Sequence, residues 1–97
     1  MKVFWTKRAR RSFDNIVVFL LDEWGELSAR KFLRLTVRFI ELLKEHPKLG
    51  KEEKAIEGLR SFVLTRHTTI FYRIKAGKVI VLLKFFDTRQ DPKKRLK

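Results

Sequence analysis

Apolar residues recur at spacings of three and four through the first half of the chain. After a polar stretch from Lys48 to Lys54 the period shortens to two or runs unbroken, so the pattern passes from helical to extended. Val3-Phe4-Trp5 is a short apolar and aromatic run that predicts a brief strand, with Thr6 following as an N-cap candidate. Ala9, Phe13, Ile16, Val17, Leu20, Leu21 and Trp24 then mark a helix with one broad apolar face, which Gly25 breaks. A second helical pattern runs from about Leu27 to His46, with Ala29, Phe32, Leu33, Thr36, Val37, Ile40 and Leu43 on one face. Leu35, Phe39 and Leu42 widen that stripe, which predicts contact with more than one neighbour. Pro47 and Gly50 end the helix, because proline disfavours helical geometry in the residue before it. Only two or three residues around Gly25 and Glu26 join the helices, so they form an antiparallel hairpin.

Beyond the polar stretch, Ile56 to Leu64 carries a strand signal in Phe62-Val63-Leu64. Thr68 to Ile74 alternates, with Ile70, Tyr72 and Ile74 on one side and Thr69, Phe71 and Arg73 on the other. Ala76-Gly77 marks a tight turn, and Val79 to Phe86 is apolar except at Lys84, as a central strand covered by helices would be. Asp91-Pro92 stops the strand and Lys93 to Lys97 form a basic tail. The order predicts an α+β fold, β-α-α-β-β-β, with a helical hairpin packed on a mostly antiparallel four-stranded sheet in a single domain over residues 1–97.

Composition narrows the class. The chain has 97 residues, too few for two independent cores. Its nine Phe and two Trp exclude a disordered tail. The longest apolar run, Ile16 to Leu21, falls far below the roughly 20 residues that span a bilayer. Lys7, Arg8, Arg10 and Arg11 precede no separate apolar segment, so no cleavable leader is expected and the expected location is cytoplasmic. Without cysteine there is no disulfide framework, thiol nucleophile or thiolate metal site.

The charge is uneven. Residues 1–57 hold 13 basic and 9 acidic side chains, whereas residues 58–97 hold 11 basic ones against Asp87 and Asp91 alone. The second half is thus a strongly positive body that calls for a negative partner; the plain alternative is a charge that only keeps the protein soluble. Four cations, Lys7, Arg8, Arg10 and Arg11, crowd the start of the first helix, where the dipole disfavours each by roughly 0.3–1 kcal/mol. They mark either a partner-facing site or a solvated face screened by salt.

Titratable candidates are few. His67, beside Arg66, is available as a base near the sheet, or else only begins a strand at the surface. Tyr72, the sole tyrosine, shares a face with Ile70 and Ile74 and reads as a core aromatic more than as an acid. His46 precedes Pro47 at a helix end and reads as a cation on the dipole. Two isolated histidines without clustered carboxylates predict no metal site, and no cofactor motif is present.

Five features follow in order: Trp5-Thr6 before the first helix, His46-Pro47-x-x-Gly50 after the second, Leu59-Arg60 opening the sheet, His67 with Ile70-Phe71-Tyr72-Arg73-Ile74, and Phe86-Asp87-Thr88-Arg89-Gln90-Asp91-Pro92. Together they resemble the RelE/ParE family of small toxins from bacterial type II toxin–antitoxin pairs. The last of these is most similar to the ParE side, whose members are often called plasmid stabilisation proteins. ParE-like members are described as gyrase poisons that need a binding surface and no chemistry of their own. RelE-like members are ribosome-dependent ribonucleases that hold mRNA phosphate with basic residues and use a Tyr or His for acid or base work. The resemblance therefore implies DNA gyrase as target, with ribosome-bound mRNA as the alternative.

For a ribonuclease the matching set would be Arg89, Arg60, Arg66 and His67; for target or nucleic-acid binding, Arg60, Arg66, Lys84 and Arg89. Thr69 stands where RelE-like members typically carry Arg, and Arg89 to Lys97 contains no Tyr or His, which fits the ParE-like reading better. The resemblance also implies a cognate antitoxin, for which Val18, Phe19, Leu35, Phe39 and Leu42 are the expected surface as apolar positions beyond the needs of two layers. Independently of the resemblance, a plain basic nucleic-acid-binding domain remains a reading. It predicts tight binding to free duplex or single strand that weakens steeply with added salt; little affinity at physiological salt argues against it.

Overall fold

The computed structural model describes residues 1–89, so the expected stop at Asp91-Pro92 and the tail from Lys93 to Lys97 lie outside the described residues. Strand β1 (Lys2–Trp5) leads through Thr6 into helix α1 (Lys7–Trp24), and Gly25 alone joins it to helix α2 (Glu26–Glu45). Gly25 makes so short a hairpin possible because its φ of 90° suits a residue without Cβ. Four strands follow, β2 (Lys51–Glu52), β3 (Leu59–Val63), β4 (Thr68–Lys75) and β5 (Val79–Asp87). They form one sheet with β1 in the order β1-β5-β4-β3-β2, in which β1 pairs parallel with β5 and the other pairs are antiparallel.

The α+β architecture and the helical hairpin agree with the sequence pattern. The sheet gains a fifth strand, β2, whose two exposed, oppositely charged residues carry no apolar signal. Between β4 and β5, Ala76 and Gly77 both take positive φ, 54° and 64°, the geometry that matches the twist of a tight hairpin.

The helices cover one face of the sheet. Ala9, Ile16 and Leu20 of α1 and Ala29, Phe32, Phe39 and Leu43 of α2 are buried against Ile70, Tyr72, Ile80, Leu82 and Phe85. Trp5 stacks on Phe85 with centroids 5.3 Å apart, and Phe13 meets both rings edge-on at the same distance. On the other side of the core Phe39 stacks on Phe62 at 4.5 Å. Among the described residues, no helix is long and apolar enough to cross a membrane.

Strand β5 lies inside the sheet, between β1 and β4, with helices over one of its faces as its apolar run predicts, but its two faces are not continuous. Tyr72 pairs with Leu82 and Phe71 with Lys84, which leaves Leu83 unpaired in a bulge. Before the bulge Ile80 and Leu82 face the helices; after it Phe85 and Asp87 do. Strand β1 ends beside Leu82, so the next backbone groups of β5 find their partners on α1. The Thr6 hydroxyl donates to the carbonyls of Leu82 and Leu83 at 2.9 and 3.2 Å and accepts from the Ala9 N–H at 3.0 Å, capping the helix. Ser12 Oγ accepts from the Phe85 N–H at 3.0 Å.

At the β3 side Tyr72 performs a similar junction. Its hydroxyl accepts from the Gly50 N–H and donates to the Pro47 carbonyl, both at 2.8 Å. A Cβ on Gly50 would lie 2.6 Å from the Ser61 carbonyl and 2.8 Å from the Tyr72 ring, so only glycine fits there. Arg60, opposite Tyr72 on β3, donates to the Gly50 carbonyl at 2.6 Å and pairs with Glu52 at 3.2 Å, adding side-chain contacts to the pairing of β2 with β3. Tyr72→Phe removes one group and leaves the Gly50 N–H and Pro47 carbonyl unpaired. The expected loss is about 1–3 kcal/mol in denaturant unfolding, with Gly50→Ala costing at least as much through displacement of the ring. A wild-type midpoint for Tyr72→Phe would contradict this account.

Candidate functional site

The end of the sheet where β4 begins and β5 finishes gathers the polar chemistry. Thr68 and Asp87 are cross-strand partners and both are buried. Asp87 accepts from the Thr68 hydroxyl at 2.8 Å, from the Arg89 backbone N–H at 2.8 Å, and from the Arg89 guanidinium through Nε at 3.2 Å and Nη2 at 2.9 Å. Burial opposes ionisation of Asp87, but the Arg89 side chain, the Thr68 hydroxyl and the Arg89 N–H together outweigh it and hold the carboxyl below its ordinary range. The Arg89 guanidinium also lies over the Phe19 ring of α1 at 5.9 Å.

The turn between β3 and β4 closes over this end. Thr65 Oγ1 accepts from the N–H groups of His67 and Thr68, and the Thr88 N–H donates to the His67 carbonyl at 2.9 Å, tying the turn to the segment after β5. Between this turn and the two helices lies a cavity of about 180 Å³, whose polar wall is Ser28, Lys31, Thr65, His67 and Arg89. Leu20, Phe32 and Leu35 make the apolar part of its lining.

The expected site residues fall into separate places. His67 and Arg89 share the cavity, and Arg66 is exposed on the adjacent turn. Arg60 lies three residues along β3 from Val63, roughly 10 Å away, and its guanidinium serves the Lys48–Glu52 segment. Lys84 projects from the β5 bulge near the Phe86 ring at 5.3 Å, on the face turned away from the helices. Tyr72 is fully buried; burial raises its phenol against the opposing pull of the Gly50 N–H and Arg60, so it stays neutral at neutral pH. Of the four cations at the start of α1, all are exposed and Arg10 pairs with Asp14 at 3.5 Å. Among the described residues no group of three or more His, Cys, Asp or Glu is placed to hold a metal ion.

The expected antitoxin surface needs one correction. Phe39 is core, 2% exposed and packed on Phe62 and Tyr72, because the widened stripe of α2 wraps towards β3 and β4. Phe19 and Leu35 are half-buried, while Val18 and Leu42 are exposed at about 10 Å and about 25 Å along the hairpin from Gly25. Leu33 and Val37, which spacing sets on the same face as Phe32 and Leu43, stand exposed between them. They line a shallow groove of about 680 Å³ along α2 with Lys31, Arg34, Leu35 and Arg38.

The Asp87 network predicts a specific acid sensitivity. A carboxyl held low in the folded state contributes stability that is complete above its unfolded pKa of about 3.9 and is lost as pH falls through the folded value. Asp87→Asn is expected to lower stability at pH 7 by about 2–3 kcal/mol and to flatten the fall in thermal midpoint below about pH 4. Parallel pH profiles for the two proteins would contradict the assignment.

A comparison with curated proteins gives no match. Among solved structures, the chain superposes with a TM-score of 0.74 on a chain of the chromosomal ParDE toxin–antitoxin system from P. aeruginosa, at 24% identity over 90% of this chain and 95% of that one. A YoeB/ParE toxin from Agrobacterium tumefaciens gives a TM-score of 0.66 at 16% identity, over 90% of this chain and 98% of that one. These likenesses establish the fold. The family model for the ParE toxin of the type II toxin–antitoxin system parDE matches residues 3–92. Spanning nearly the whole chain, that match makes this protein a member of the ParE toxin family of type II toxin–antitoxin systems.

Proposed function

We propose that this ParE-family toxin arrests growth by binding an essential target of the gyrase type, and that a cognate antitoxin neutralises it by covering the helical hairpin. The observation that carries the binding reading is that three of the candidate groups for acid or phosphate chemistry, Tyr72, Arg60 and Arg89, are engaged by the fold itself. Tyr72 is locked between Gly50 and Pro47, Arg60 holds the Lys48–Glu52 segment, and Arg89 neutralises Asp87. A group fully engaged in this way loses packing and hydrogen bonds whenever it moves to meet a substrate.

The hairpin supports the antitoxin reading. Leu33 and Val37 are 39% and 60% exposed one helical turn apart, flanked by the cations Lys31, Arg34 and Arg38. An apolar groove with a basic rim is complementary to an acidic amphipathic segment that orders on binding. The ribosome-dependent ribonuclease reading keeps one observation in its favour, the meeting of His67 and Arg89 in one cavity.

The purified chain is expected to inhibit DNA supercoiling by gyrase, with inhibition relieved by the antitoxin; undisturbed supercoiling would rule out gyrase. For the antitoxin, ligand at a hundredfold excess over Kd should stabilise the chain by roughly 2.7 kcal/mol. Val37→Asp, on the exposed groove, should weaken that binding by about 1–3 kcal/mol without lowering the free chain's midpoint. Equal binding by this variant would remove the groove from the interface.

A further inference from the structure

We propose that the cavity between α2 and the β3–β4 turn receives one carboxylate of the antitoxin's acidic segment, gripped by Lys31, His67 and Arg89. This rests on the antitoxin reading above and adds to it an anchoring residue type and its seat.

Three observations lead there. The groove along α2 and this cavity share Lys31 and Leu35, so a segment lying on Leu33 and Val37 reaches the cavity without leaving the protein surface. The cavity's donors are also unspent. Among the described residues, the side chains of Ser28, Lys31 and His67 have no hydrogen-bond or ion-pair partner, and Arg89 engages Asp87 through Nε and Nη2 with Nη1 left over. Finally, the charge balance fits a single negative charge. Asp87 already offsets Arg89, which leaves Lys31 as the uncompensated permanent cation, with the Ser28 hydroxyl and His67 imidazole to complete a hydrogen-bonded shell around two oxygens.

The rest of the lining selects among anions. Leu20, Phe32 and Leu35 are suited to the methylenes of a glutamate side chain, which would bury its stem and present its head to the cations. A nucleic-acid phosphodiester carries its charge between two sugars and has no apolar stem to lay against Leu20, Phe32 and Leu35. A carboxylate carried on a flexible stem therefore fits the site better than a phosphate carried on a polymer backbone.

The test uses the full chain with isotope-labelled histidine and, as probe, the blocked dipeptide N-acetyl-Leu-Glu-amide, followed by the intact antitoxin. The dipeptide is expected to shift the His67 ring resonances and leave those of His46 in place, with the shift lost in Lys31→Met. Inorganic phosphate or a short oligonucleotide shifting His67 at lower concentration than the dipeptide would overturn the carboxylate assignment. With the antitoxin, Lys31→Met and His67→Gln together should weaken binding about tenfold while the free variant keeps the wild-type thermal midpoint. Unchanged affinity overturns the cavity and leaves the antitoxin reading standing. An antitoxin that fails to bind the wild-type chain overturns both. A glutamate-to-glutamine change in the antitoxin that weakens binding to the wild type, but not to the double variant, would identify the seated residue.

Discussion

Strand β1 stops beside Leu82, yet β5 continues for five more residues under the helices, where an unpaired amide or carbonyl costs about 1–3 kcal/mol. Thr6 and Ser12 resolve this by standing in for the missing strand. Thr6 caps α1 and takes two β5 carbonyls, and Ser12 takes the Phe85 amide across the Leu83 bulge. Because one hydroxyl serves both the helix start and the sheet, the position of α1 over β5 is set at its first turn. The aromatic cluster of Trp5, Phe13, Phe32 and Phe85 then packs in one arrangement. The bulge has a second consequence, since it turns Asp87 inward, where Thr68 and Arg89 meet it.

The two ends of the sheet thereby acquire different characters. At one end Tyr72, Gly50 and Arg60 tie the segment after α2 to β3, and the Tyr72 hydroxyl and Arg60 guanidinium are both engaged by the fold. At the other end the Asp87–Arg89 pair closes the core and borders a cavity whose other polar side chains, Ser28, Lys31 and His67, have no partner among the described residues. The cationic excess of the second half is accordingly divided, with Arg60 serving structure and Arg89 standing at the boundary between structure and binding.

Much of this was legible in the sequence because the apolar patterns are long. The two helices follow from spacing, β4 from strict alternation around Ile70 and Tyr72, and the hairpin turn from Ala76-Gly77. What escaped depends on contacts distant in sequence. Strand β2 consists of Lys51 and Glu52, which pair only because Ser61 and Arg60 lie opposite. The bulge at Leu83 hides inside an apolar run. Phe39 and Val37 exchanged roles, since stripe width does not say which edge of α2 meets the sheet. Ser28 and Lys31 sit on the helix with no distinctive spacing and join His67 only through the fold. One signal was available: Asp87 is the lone acid between residues 58 and 90, and a carboxylate isolated among cations and inside an apolar strand points to a buried pair.

Membership of the ParE toxin family does not by itself separate a binding protein from a ribonuclease, so the distinction rests on how particular side chains are held. Here the tyrosine is inside the core, one arginine is a brace and another is paired with a buried carboxylate, an arrangement that favours a binding surface over a cutting site. The most direct measurement is to induce the chain alone in growing bacteria and map mRNA 5′ ends within minutes. Growth arrest with intact codons is the predicted result. New cleavage within translated codons, lost on Arg89→Ala, would contradict it.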